Sequence, residues 1–200
     1  MLETKQVISD VLRGSPAERV GLQLGDVLLS INGEPVQDLV DYEHLTASEH
    51  LTLSIQKKNG ENAEILIDKD DYEPLGLSFA TSLMSAMRTC KNHCVFCFID
   101  QMPKGGRSSL HVKDDDWRMS FIMGNYVTLT NLDERELDRV IRRQVSPLYI
   151  SLHASDPDVR RAMMKNPHAG DILPQLRRLA EAGLRFHLQI VLCPEINDGD

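Results

Sequence analysis

The apolar residues of this chain change their period midway, and that change limits what it can fold into. Before residue 68 they fall in short β-prone runs, at 8–11, 27–31, 51–56 and 63–67. Leu51, Leu53 and Ile55 alternate with Thr52, Ser54 and Gln56, the period of two that a half-buried strand needs. Asn32-Gly33 and Asn59-Gly60 sit between such runs, where tight turns call for positive φ. Ser15-Pro16-Ala17-Glu18 supplies a cap and a proline for a short helix, and Gly21 stops it. The stretch 68–74, DKDDYEP, is acidic and polar and reads as a boundary.

Beyond that boundary strands and helices alternate. Strands are predicted at 78–84, 121–128, 148–152 and 184–192. Asn131 and Glu134 form a capping box before a helix carrying Leu137, Val140 and Ile141 on one face. Asp156-Pro157 opens another helix, and 171–182 a third, with Ile172, Leu173, Leu176, Leu179 and Ala180 inward and Gly183 at its end. Such alternation indicates an α/β fold with a parallel sheet or barrel. The expected organisation is a small β-rich module over residues 1–68, then the first part of a βα barrel over 75–200. A complete barrel takes roughly 200–250 residues, so four strands after residue 77 read as the front of a longer protein.

Composition narrows the function. The net charge of −8 argues against nucleic acid or an anionic membrane as the main partner. No run approaches the ~18 apolar residues of a membrane helix. The start, MLETKQVISDVL, lacks the basic-then-apolar pattern of a secretory signal. A cytoplasmic location is expected.

Three of the four cysteines fall within eight residues: Cys90, Cys94 and Cys97. A disulfide framework would spread its cysteines along the chain, whereas crowded thiols in a reducing compartment suit metal. Thiolates are soft donors for iron–sulfur clusters and zinc. Three in one loop hold three irons of a four-iron cluster and leave the fourth without a protein ligand. Zinc completed by His93, His111 or a distant residue, and a redox pair at Cys94 and Cys97, remain as alternatives. Cys193 stands alone in an apolar run and reads as a core residue. Asp114-Asp115-Asp116 before Trp117 reads as a solvated loop or a substrate-facing lid, and Met119, Met123, Met163 and Met164 as core filling.

Two resemblances follow from these residues. GSPAERVGLQLGDVLLSINGEPV, at 14–36, resembles PDZ domains of the bacterial, circularly permuted type. That implies a module that holds a peptide as an added strand, with its carboxylate on a glycine-containing loop, or that serves for docking or as a spacer. The loop should precede the first strand, where the chain has MLETKQ, while Pro74-Leu75-Gly76-Leu77-Ser78-Phe79 resembles it at the other end.

The Cys90-x3-Cys94-x2-Cys97 spacing, with Phe96 before the third cysteine, resembles the signature of radical S-adenosylmethionine enzymes. CKNHCVFCFIDQMPKGGR (90–107), KDDDWRMSFIMGNYVTLTNL (113–132), PLYISLHASDP (147–157) and HLQIVLCPEINDG (187–199) are similar to one bacterial subgroup. Its members join an N-terminal PDZ-like domain to a radical S-adenosylmethionine core and a C-terminal domain of unassigned function. The resemblance implies a 4Fe–4S cluster on Cys90, Cys94 and Cys97, with S-adenosylmethionine chelating the open iron. It implies an enzyme that cleaves S-adenosylmethionine reductively to a 5′-deoxyadenosyl radical acting on an unidentified substrate, with a flavodoxin or ferredoxin as electron donor. Phe96 is expected to border the adenine; Gly124, Asn125, Ser151, His153 and Asn197 are further candidates for cofactor contact. The alternative is a non-catalytic PDZ-like interaction module with a structural metal loop.

Overall fold

The computed structural model describes residues 5–199, which divide into two units between Ala86 and Met87. The first contains β1 (Gln6–Val11), α1 (Pro16–Arg19), β2 (Val27–Ile31), β3 (Glu34–Pro35), α2 (Leu39–Leu45), β4 (His50–Gln56), β5 (Asn62–Asp68) and β6 (Leu77–Phe79). All its pairings are antiparallel, in the order β5-β4-β2-β1-β6, with β3 attached to β2. The alternation in β4 does what its period demands: Leu51, Leu53 and Ile55 enter a core with Ile8, Leu28, Ile31 and Ile67. Asn32 and Gly33 both adopt positive φ at the β2–β3 turn, and the side chains of Ser15 and Asp38 cap α1 and α2.

The segment 74–79 resolves the puzzle of the misplaced PDZ-like loop. It forms no strand of the second unit; Leu77–Phe79 pairs with β1, at Val11, Asp10 and Ile8. Folding thus brings a loop from the far end of the sequence beside the strand that opens it. Gly76 has φ +85, and a Cβ there would lie 2.2 Å from the Ser15 Cβ, so only glycine fits. The chain then turns back. The Leu39 N–H donates to the Leu83 carbonyl at 3.2 Å, and Met84, 4% exposed, joins the core that contains Tyr42 and Leu45. Residues 75–86 therefore pack with the first unit. Residues 1–4 of the alternative loop stretch lie outside the described residues.

The second unit contains α3 (Trp117–Met123), α4 (Glu134–Arg142), β7 (Leu148–Ser151), α5 (Pro157–Met164), α6 (Ile172–Glu181) and β8 (Phe186–Gln189). β7 and β8 pair in parallel from Leu148–Phe186 to Ser151–Gln189, and Val127 makes one parallel bridge to Ile150. This is a mixed α/β arrangement, shorter in strands than expected. The predicted strand at 121–128 begins inside α3, which takes residues 121–123, and keeps only the Val127 bridge: Asp116 accepts from the Arg118 N–H as the N-cap of α3, and Gly124 ends it in the left-handed conformation. The expected capping box also moves, because Asp133 caps α4 while the Asn131 amide donates to the Asp115 carbonyl. α6 buries Ile172, Leu176 and Leu179 as expected but leaves Leu173 and Ala180 exposed. Met163 and Met164 fill the core, whereas Met123 is exposed.

Candidate metal and cofactor site

The cysteine loop is held at several points by the second unit's backbone. The Cys90 N–H donates to the Lys113 carbonyl at 2.8 Å beside a bridge between Thr89 and Asp114. The His93 and Val95 N–H groups donate to the carbonyls of Met164 and Met163, at 3.0 and 2.8 Å, so the loop runs along the C-terminal turn of α5. Within it the Cys97 N–H closes a turn on the Cys94 carbonyl. All three cysteines are partly exposed and free.

Burial pushes the Cys94 thiol up to about 11, helped by the neighbouring thiolates of Cys90 and Cys97; burial also raises Cys90. Thiols held up in this way need a cation beside them to persist as thiolates. Lys113 supplies one charge nearby: its Nζ donates to the Asn92 carbonyl and to both Asp100 oxygens, at 2.8–2.9 Å. Among the described residues, no three His, Cys, Asp or Glu side chains gather as for a single metal ion. His93 is mostly exposed, 3.8 Å from Asp100, and His111 is exposed. Three soft sulfurs carried by one short loop fit the donor chemistry of an iron–sulfur cluster.

Phe96 leads from this loop to a second group of candidates. Its ring centroid lies 4.5 Å from that of His153, and it packs with Cys94 and Cys193 on Ala154, Met163, Met164 and Ala169. Cys193 is therefore part of a partly exposed apolar wall. His153 is 3% exposed with φ +66, just after β7. Its Nδ1 accepts from the Val191 N–H, and burial, aided by the charge on Arg160, lowers its pKa to about 4, so the ring is neutral at pH 7. Asn197 donates to the carbonyls of His153 and Val191 and accepts from the Cys193 N–H. It staples the loop after β8 to the end of β7. Ser151 lies in β7, its N–H on Val127 and its carbonyl on Arg160. Gly124 caps α3, and the Asn125 amide donates to Asp114. Phe96, His153 and Asn197 are thus brought together, while Gly124 and Asn125 belong to the α3 end.

Sequence reasoning passed over the groups that support the loop. Asp115 and Asp116 are buried rather than solvated, and Trp117 is a core residue whose Nε1 donates to Glu136. Asp116 pairs with Arg118 at 2.6 Å and accepts from the Arg88 N–H. Arg160, 1% exposed, donates to the carbonyls of Leu152, Ala169, Thr128 and Ser151. A hollow of about 560 Å³ lined by Pro147, Phe186 and His187 opens at the other, N-terminal ends of β7 and β8 and includes none of these residues.

Fold and loop together define a two-part protein: an antiparallel PDZ-like module and an α/β unit that presents three thiols. Comparison with known families agrees with both halves. The family described as a radical SAM-like domain, where SAM is S-adenosylmethionine, matches residues 69–200, and the PDZ domain family matches 7–57. The chain belongs to the radical SAM-like family. Its curated relatives match the PDZ part alone. A probable periplasmic serine endoprotease DegP-like from Ectopseudomonas mendocina is 38% identical over 64 residues, 32% of this chain and 12% of that protein. One of the same name from Pseudomonas putida is 38% identical over 61 residues, 30% of this chain and 11% of its own length. The chain thus spans about a tenth of the length of these relatives. The PDZ domain of the SdrC-like protein from Listeria innocua aligns with 38% of this chain and 94% of its own, at 16% identity and a TM-score of 0.33.

Proposed function

We propose that this chain is the cluster-bearing part of a radical S-adenosylmethionine enzyme of the PDZ-containing bacterial subgroup, acting in the reducing cytoplasm. The carrying observation is the ordered loop that presents Cys90, Cys94 and Cys97 beside the Phe96–His153 pair. In this reading the three cysteines hold a 4Fe–4S cluster within a βα barrel whose first parallel strands are β7 and β8. When bound, the cluster supplies one electron, received from a flavodoxin or ferredoxin, that splits S-adenosylmethionine into methionine and a 5′-deoxyadenosyl radical able to take hydrogen from a substrate.

The residues of the chain bind, orient and exclude. Phe96 offers an apolar face to the adenine, and neutral His153 backs that face without adding a charge. Asn197 fixes the loop that carries the His153 carbonyl, so its contribution is positional. Ser151 and the Gly124-Asn125 turn are the remaining candidates for polar contacts. Phe96 and Cys193 pack with Cys94 in a partly buried apolar wall that limits water on that side of the loop. The PDZ-like module is proposed to take a peptide or protein partner. The rival function, a PDZ-like interaction module with a purely structural metal loop, draws on the same module.

The test is anaerobic reconstitution of the full chain with iron and sulfide, beside Cys90→Ala, Cys94→Ala and Cys97→Ala. The proposal expects about four irons per chain in the wild type, lost in each variant, and 5′-deoxyadenosine on reduction with S-adenosylmethionine. Zinc in place of iron, or iron indifferent to these cysteines, rejects it. A cluster without 5′-deoxyadenosine favours the structural rival.

A further inference from the structure

Between the first two cysteines lies a residue whose side chain faces inward. Asn92 is 1% exposed. Its Nδ2 donates to the Cys90 Sγ at 3.3 Å and to the Thr128 Oγ1 at 2.9 Å. Its Oδ1 accepts from the Thr130 Oγ1 at 3.1 Å and the Asn166 Nδ2 at 2.6 Å, and its carbonyl accepts from the Lys113 Nζ. Both hydrogens and both lone pairs of the amide are engaged.

The network also fixes which way the amide points. Asp115 accepts from the Thr128 N–H and from its hydroxyl, both at 2.6 Å. With its only hydrogen committed to Asp115, the Thr128 oxygen must accept from Asn92. The nitrogen therefore lies on the Thr128 side, and its second hydrogen is turned to Cys90. Four separate stretches of chain converge to aim one N–H at one sulfur.

We infer that Asn92 is a positioning residue for the cluster, orienting Cys90 and, through its N–H on the sulfur, easing reduction. The inference rests on the assignment of the cysteines above. A donor to a cluster sulfur stabilises the extra negative charge of the reduced state and raises the potential. A purely structural Asn92 would affect folding and leave the potential of any loaded cluster unchanged.

The experiment is redox titration of the reconstituted full chain, with iron release to a ferrous chelator measured beside it, in wild type, Asn92→Leu and Asn92→Gln. Asn92→Leu should shift the potential to more negative values and speed iron release about tenfold. Asn92→Gln keeps an amide but displaces the donor by one methylene, so it should shift the potential less and in the same direction. It carries the test if Asn92→Leu does not fold. Thr130→Val, which removes an acceptor contact and leaves the donor, should weaken the fold with little change in potential. Wild-type potential in both Asn92 variants overturns the inference while leaving the cluster intact. A wild-type chain that takes up no cluster rejects the underlying assignment instead.

Discussion

The Phe96 and His153 rings stand 4.5 Å apart, centroid to centroid, at an angle of 58°. The contact joins the cysteine loop to the end of β7 and makes His153 a titratable part of the second unit's packing. Burial, then the nearby Arg160 charge, lowers its pKa from 6.5 to about 4. The folded state thus binds its proton less readily than the unfolded chain, and the neutral form's contribution is complete above pH 6.5. It declines as pH falls from 6.5 toward 4, by roughly 2–3 kcal/mol in total. Trp117, the single tryptophan, is buried in this unit and reports its unfolding by fluorescence. Wild type should lose stability across that window, and His153→Gln should show a shallower dependence.

Arg160 satisfies four carbonyls from three parts of the second unit with one guanidinium. Burial lowers its pKa to about 10, so it stays charged at neutral pH. Arg160→Leu leaves these acceptors without their donors, at ~1–3 kcal/mol for each left buried and unpaired. A loss of about 3–5 kcal/mol is expected from denaturant titration. Arg160→Lys should recover little of it, because one ammonium lacks the planar fork that reaches all four.

Gly76 carries a prediction for the PDZ-like module. Alanine there would combine φ +85 with a Cβ 2.2 Å from Ser15, at the cap of α1. The left-handed conformation alone costs an L residue about 1–2 kcal/mol, and the clash adds to it. Gly76→Ala should lower the module's calorimetric melting temperature and detach β6. Gly33→Ala, at φ +78 with open space, should show only the conformational cost.

Asp26 sets the module's acid limit. Its side chain is 4% exposed, and burial works to raise its pKa. The Lys57 ammonium at 2.9 Å and the N–H groups of Gln23 and Lys58 outweigh that effect and hold it below the usual carboxylate range. A lowered carboxylate pKa stabilises above the unfolded value, near 4, and the benefit is lost as pH falls through the folded value. Asp26→Asn should cost about 1–3 kcal/mol at pH 7 and much less at pH 3, as measured by thermal unfolding.

Local chemistry made much of this legible. The alternation of Leu51, Leu53 and Ile55 gave their burial, the Asp156-Pro157 pair gave the start of α5, and the cysteine spacing gave the loop. What stayed hidden depends on partners distant in sequence. Asp115 and Asp116 look like a solvated run until Thr128 and Arg118 are set against them. Phe121 and Val127 carry strand-forming side chains, yet the cap at Asp116 and Gly124 turn the first part into helix. Leu77–Phe79 reads from sequence as part of the second unit because its pairing with β1 spans almost seventy residues. Asn92 had one available signal, its place between two cysteines, and nothing local shows that its amide turns inward.

The bonds from His93 and Val95 to the last turn of α5 have one more consequence. Terminal helix carbonyls lack partners within the helix, and here the cysteine loop takes two of them. The conformation of the loop is thereby tied to the helix end. A change that frays that last turn should therefore release the stretch that carries the cysteines as well, although it lies about seventy residues upstream.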